Sequence, residues 1–210
     1  MKIGKIGLLI AALLPTVASA HQAGDFFIRA GSATVRPTGG SDNVLGLGEF
    51  NVSNNTQLGL TFTYMATDHI GVELLAATPF RHKVGLGPTG TLATVHQLPP
   101  TLMAQYYFLD NTSKFQPYAG IGLNYTTFFN NKFNDTGRAA GLSDLHVKDS
   151  VGVAGQLGMD YQINQHWMLN ASVWYMDINT KVKFKAGDDQ QSIKTNINPW
   201  VFFFGVGYNF

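Results

Sequence analysis

The chain has 210 residues, no cysteine and only 13% charged residues, with 14 Lys and Arg against 13 Asp and Glu. The missing thiols exclude disulfides, thiolate metal sites and cysteine nucleophiles, and the near balance of charge offers no basic face to nucleic acid. Charged residues run at about half the share usual in a soluble domain, while Gly (23) and Phe (15) are plentiful.

The first element is a secretory signal. "MKIGKIGLLIAALLPTVASA" carries Lys2 and Lys5, an apolar run from Ile6 to Leu14, the helix breaker Pro15 and the small-x-small ending Ala18-Ser19-Ala20. The layout predicts cleavage after Ala20, and the run is too short to span a bilayer as a helix. The mature chain, residues 21–210, would begin at His21 with 12 basic residues against 13 acidic ones, a net charge of −1. No later stretch reaches the ~18 apolar residues of a spanning helix, so the route left across a membrane is a closed β-barrel.

Eight segments of alternating character follow, each about as long as a barrel strand. They are "DFFIRAGSATVRP" (25–37), "TQLGLTFTYMA" (56–66), "HIGVELLAATPF" (69–80), residues 101–109, "PYAGIGLNYTTFF" (117–129), "SVGVAGQLGMDY" (150–161), a segment starting at Trp167, and the closing "WVFFFGVGYNF" (200–210). A period of two puts each set of alternate residues on one side of the sheet. Leu58, Leu60, Phe62 and Tyr64 oppose Gln57, Gly59, Thr61 and Thr63; in the closing segment Trp200, Phe202, Phe204, Val206, Tyr208 and Phe210 oppose Val201, Phe203, Gly205, Gly207 and Asn209. Soluble β-sandwiches and lipocalin-type barrels alternate too, with the apolar side inward. Here the other side is mostly Gly, Ala, Ser, Thr and Asn, which suits a narrow interior better than a solvated surface rich in Lys and Glu.

The connections alternate in length. Long gaps at 38–55, 81–100, 130–149 and around 184–194 interleave with short ones at 67–68, 110–116 and 162–166, as expected for long outer loops and short periplasmic turns. Within the third long loop, Asp144 to Lys148 reads as either a helical turn or a strand extension. Two aromatic girdles are expected: Phe26, Tyr64, Tyr106, Phe108, Tyr118, Tyr161, Trp167, Tyr208 and Phe210 at the periplasmic end, and Phe80, Phe128, Phe129 and Trp200 at the outer rim. Pro37, Pro99, Pro100, Pro117 and Pro199 fall at segment ends, where no ladder donor is lost. The fold expected is thus all-β, an eight-stranded antiparallel transmembrane β-barrel, with lipid covering the greasy face of the last strand.

Ordered stretches along the whole of residues 21–210 resemble the outer membrane protein W (OmpW) family: "AGDFFIRAGSATVRPT", "NNTQLGLTFTYMATD", "GVELLAATPFRHK", "HQLPPTLMAQYYF", "PYAGIGLNYTTFF", "GLSDLHVKDS" and "SVWYMDI". The resemblance implies an outer-membrane barrel of a Gram-negative bacterium whose narrow, apolar lumen passes small hydrophobic molecules. It also implies that Leu75 and Trp174 constrict the interior, and both fall on the inward parity. The terminal Phe210 resembles the signal read by the outer-membrane assembly machinery.

An eight-stranded barrel has room for its own side chains or one small ligand. The inward charges are Arg29, Glu73 and Asp160, read either as a paired plug in the lower barrel or as a polar floor that stops water and ions. Above them Met65, Leu75, Met103, Trp174 and Met176 face inward, either as ordinary packing or as an adaptable apolar binding surface. A hydrophobic solute would come from outside, dock on Leu75 and Trp174, and leave sideways between strands. The six histidines are scattered, and no nucleophile or zinc-protease motif is present, so no enzyme, metal or cofactor is expected; His82 with His96, or His21 at a free N-terminus, would be the weak exceptions. The other reading is a closed structural or receptor barrel whose outer loops dock bacteriocins, phage or host molecules.

Overall fold

The computed structural model describes residues 20–210, so the expected signal peptide lies outside the described residues except for Ala20. Its strands are β1 (Phe26–Arg36), β2 (Phe50–Val52), β3 (Asn55–Met65), β4 (Ile70–Ala77), β5 (Phe80–Leu86), β6 (Thr91–Leu98), β7 (Thr101–Tyr107), β8 (Phe115–Phe133), β9 (Leu142–Val147), β10 (Ser150–Gln162), β11 (Trp167–Met176), β12 (Asn179–Ala186), β13 (Asp189–Asn196) and β14 (Trp200–Asn209), with one short helix, α1 (Asp135–Ala139).

Eight of these close an antiparallel barrel in the order β1-β3-β4-β7-β8-β10-β11-β14, and β14 returns to β1 with Phe27 opposite Asn209 and Arg36 opposite Trp200. Closure removes the free edges that a membrane cannot solvate. The alternation read from the sequence holds on every strand where it was assigned. Ile121, Val151 and Phe204 are 71%, 74% and 65% exposed on the outside, whereas Trp174 and Phe203 are fully buried inside. Large apolar side chains exposed in a continuous belt are stable only against lipid.

The interior stays narrow because glycines line up across it. Gly31 sits opposite Gly205 on one side and Gly59 on the other. A Cβ at Gly59 would meet the ring of Phe203 at 3.1 Å, and one at Gly31 would stand 2.1 Å from the Phe204 carbonyl oxygen. The missing side chains let the Phe203 ring lie across the lumen.

The outer connections differ from the loops expected. Residues 81–100 form most of the β5–β6 hairpin, β8 continues to Phe133, and the 130–149 and 184–194 segments supply α1, β9 and the β12–β13 hairpin. The segment around Asp144 is a strand extension, β9, that pairs with β12. These strands carry the wall outward beyond the aromatic rim, with Val182, Phe184 and Ile193 buried and the residues between them exposed.

Three expected girdle residues turn inward. Tyr118 is 1% exposed because it is in phase with Gly120 and Gly122, not with Ile121. Phe128 likewise stays in phase with the buried Asn124 and Thr126. Phe80 is buried because Thr78 and Pro79 break the strand and reset the alternation between β4 and β5. Trp200 stands at the outer rim as expected, joined by Tyr125 and by Tyr175, whose ring centroid lies 5.1 Å from that of Trp200.

Candidate functional site

The lower lumen is closed by a polar network built on Arg29 of β1. Its parity sends the guanidinium inward, where it is wholly buried. Nε donates to Asp160 Oδ1 at 3.0 Å, and Nη2 also bonds Asp160 Oδ2. Nη1 reaches Glu73 Oε2 at 2.6 Å and Thr63 Oγ1 at 3.1 Å, while Nη2 reaches the Tyr107 hydroxyl at 2.8 Å. The guanidinium face lies 4.6 Å from the centroid of Phe27. A buried cation so placed is tolerable because two carboxylates and an aromatic face replace its water.

Those carboxylates are satisfied in turn. Asp160 accepts from His21 Nε2 at 2.8 Å and Asn170 Nδ2 at 2.7 Å; Glu73 Oε1 accepts from Gln156 Nε2 at 2.9 Å. Gln156 Oε1 accepts from Gln105 Nε2 at 3.0 Å, and Tyr107 donates to Gln105 Oε1 at 3.1 Å. Arg29, Glu73 and Asp160 are thus brought together as expected. His21, Gln105, Tyr107, Gln156 and Asn170 complete the layer; they are neutral or lie ahead of the first strand, so a search for inward charges passes over them. The inward parity of Gln156 and Asn170 was the signal that could have found them. His21 is no surface metal ligand, since its ring is buried and stacks on Phe27 at 4.4 Å.

Above this layer the lumen holds an apolar cluster beside a few buried polar side chains, among them Thr61, Thr101, Asn124 and Thr126. Leu75, Met103, Trp174 and Met176 pack in one cluster with Phe203, and Trp174 meets Phe203 edge-on at 5.9 Å. The Trp174 indole N–H is buried without a hydrogen-bond partner. Met65 also faces inward, but it departs from the expected placement. It packs with Phe27, Tyr107, Tyr118 and Met168 at the periplasmic end, because it is two residues past Thr63 on the descending strand β3.

The outer strands then enclose a chamber that sequence reasoning missed, having taken them for loops. Val84, Leu92, Phe128, Leu145, Val182 and Phe184 are among its walls, the wall it exposes is apolar, and the empty space between its sides, mouth included, is about 840 Å³. Its lining is continuous with the Leu75–Trp174 cluster below. His82 is one of its few polar members. Its Nδ1–H donates to the Ser53 carbonyl at 2.6 Å and Nε2 faces Gln97 Nε2 at 3.1 Å. Burial pushes the His82 pKa below the ordinary histidine value, against the raising effect of the Ser53 bond, and nearby His96 lowers it further; the ring is held neutral, as an apolar wall requires. His96 does not converge with it on a metal: His82 pairs with Val95 and His96 with Arg81, so the rings leave the hairpin on opposite faces. Among the described residues no group of three or more His, Cys, Asp or Glu could hold a metal ion.

Residues 22–210 match the model of the OmpW family. Outer membrane protein W of Escherichia coli is 63% identical over 210 residues, covering 100% of this chain and 99% of the relative. Outer membrane protein W of Vibrio cholerae is 52% identical over 208 residues, 96% of each. The crystal structure of OprG from Pseudomonas aeruginosa superposes with a TM-score of 0.86 at 45% identity, covering 91% of this chain and 98% of that one. With the lipid-facing belt and the closed strand order, these matches place the chain in the outer membrane of a Gram-negative bacterium, and it belongs to the OmpW family.

Proposed function

We infer that the barrel takes up small hydrophobic molecules from the cell exterior through the apolar chamber and releases them sideways into the membrane. The observation that carries this reading is the pairing of an apolar chamber above with a buried ionic layer below. An apolar solute gains by leaving water for the chamber. It cannot continue through the Arg29 layer, because displacing the bonds of buried charges costs several kcal/mol. Leu75 and Trp174 form the lowest apolar station, and lateral passage between strands is the route that avoids the floor. The unpartnered Trp174 N–H would favour solutes with a hydrogen-bond acceptor over bare hydrocarbon. The role is passage rather than catalysis, and the exposed Phe210, 71% accessible, is the proposed handle for the outer-membrane assembly machinery.

The test is uptake into liposomes holding the refolded barrel, comparing an apolar solute with a polar one of similar size. Protein-dependent uptake of the apolar solute alone, slowed by Leu75→Trp, is the expected result. Uptake of neither would make this a closed barrel that acts through its outer surface.

A further inference from the structure

On the outer face of the β9–β12–β13 sheet three lysines stand in one row. Lys181 pairs directly with Lys194, and Lys148 donates its backbone N–H to the Lys181 carbonyl on the other side. All three side chains point outward: each is exposed, while the neighbouring Val147, Val182 and Ile193 are buried. Lys183 and Lys185 continue the same face of β12, and Lys183 lies opposite His146. Opposed residues on neighbouring strands have Cβ atoms only ~5 Å apart, so like charges there repel.

The nearby carboxylates do not relieve the row. Asp144 is held by Lys185 at 2.7 Å, Asp177 by the Asn179 amide at 2.6 Å, and Asp149 by the Tyr125 hydroxyl at 2.6 Å and the Phe128 N–H at 3.1 Å. Asp188 and Asp189 sit at the tip of the β12–β13 hairpin. Among the described residues, none of Lys148, Lys181 and Lys194 has a carboxylate within 4.0 Å. The row also has a definite height. Lys148 is three residues beyond Val151, a lipid-facing side chain that is 74% exposed, or ~10 Å along the strand. Lys181 and Lys194 lie on the outer side of the Tyr175–Trp200 rim, Lys181 six residues after Tyr175 and Lys194 six residues before Trp200.

We propose that Lys148, Lys181 and Lys194 form a docking site for the phosphorylated headgroup of the outer-leaflet glycolipid, lipopolysaccharide. Cations at headgroup level, unpaired within the protein and arranged in a plane, match phosphates fixed in the leaflet at that height. The site is on the outside of the wall and does not depend on the lumen.

The experiment is native mass spectrometry of the purified full barrel in detergent with bis-phosphorylated lipid A and with its dephosphorylated form. The wild type should hold the phosphorylated form at least tenfold more tightly. The triple variant Lys148→Gln/Lys181→Gln/Lys194→Gln should bind both forms equally weakly, and Lys114→Gln, at a periplasmic turn, should match the wild type. Equal retention by wild type and triple variant, indifference to phosphate, or binding only of a soluble sulfated polysaccharide would overturn the proposal. A thermal scan without lipid separates this from misfolding. Relief of repulsion should leave the triple variant with a Tm equal to or above that of the wild type, and a lower Tm would equally count against the row as unpaired charge.

Discussion

Arg29 and Asp160, 131 residues apart in sequence, are held side by side by two parallel bonds in the lower lumen of the barrel. Neither is touched by solvent, and the pair joins the first barrel strand to the sixth. Asp160→Ala should strand Arg29 with Glu73 alone and cost about 3–5 kcal/mol, the range for breaking a buried pair from one side. Replacing both with apolar residues of matching size should cost much less. Urea unfolding in lipid vesicles would compare the two, and ion leak across planar bilayers should rise in the single variant.

The lipid and lumen faces can be separated with neighbours on β3. Leu60→Arg puts a charge into the belt and should cost about 2–4 kcal/mol near the midplane. Thr61 is buried inside with its hydroxyl unpartnered, so Thr61→Val should be neutral or slightly stabilising. Equal losses at the two positions would contradict the facing described above.

Trp174→Ala removes the largest fully buried side chain of the lumen. A loss of about 3–5 kcal/mol is expected from the cavity, with the strand order retained. Passage of apolar solutes should accelerate, and solutes with an acceptor group should lose their advantage over hydrocarbons. Unchanged flux in a folded variant would remove Trp174 from the path.

His82 predicts a pH response with a definite sign. Its pKa in the folded barrel is depressed, chiefly by burial, from the ordinary 6.5. The unfolded chain therefore binds the proton more readily, and stability is fully present above ~6.5 and declines as pH falls below it. The unfolding midpoint should drop between pH 7.5 and 5, and less so in His82→Gln, which keeps a polar group facing Gln97. A flat profile in both proteins would show that the ring does not titrate in this window.

The barrel was legible in the sequence because a period of two survives wherever one side meets lipid, and the inward parity already held Arg29, Glu73, Asp160, Leu75 and Trp174. The signal failed at the outer end. There β12 and β13 continue to alternate into residues 184–194, but the polar run between Phe184 and Ile193 reads as a solvated loop rather than as a wall. Phe80 failed for a related reason: the Thr78–Pro79 break shifts the phase, and a phase cannot be carried through an interruption. Met65 was read correctly as inward, but depth along the axis depends on strand register, which hydrophobic periodicity leaves open.

The return of β14 to β1, with the Phe210 N–H bonding the Phe26 carbonyl at 3.1 Å, sets when the molecule can come into being. The seam pairs Phe27 with Asn209, 182 residues apart, so the contacts that complete it are strongly non-local and form late. Until β14 is in place, β1 offers a bare row of donors and acceptors to any passing strand. A transposed chain, with residues 20 and 210 joined and new ends opened between β5 and β6, would test whether the order of synthesis or only the finished ring matters.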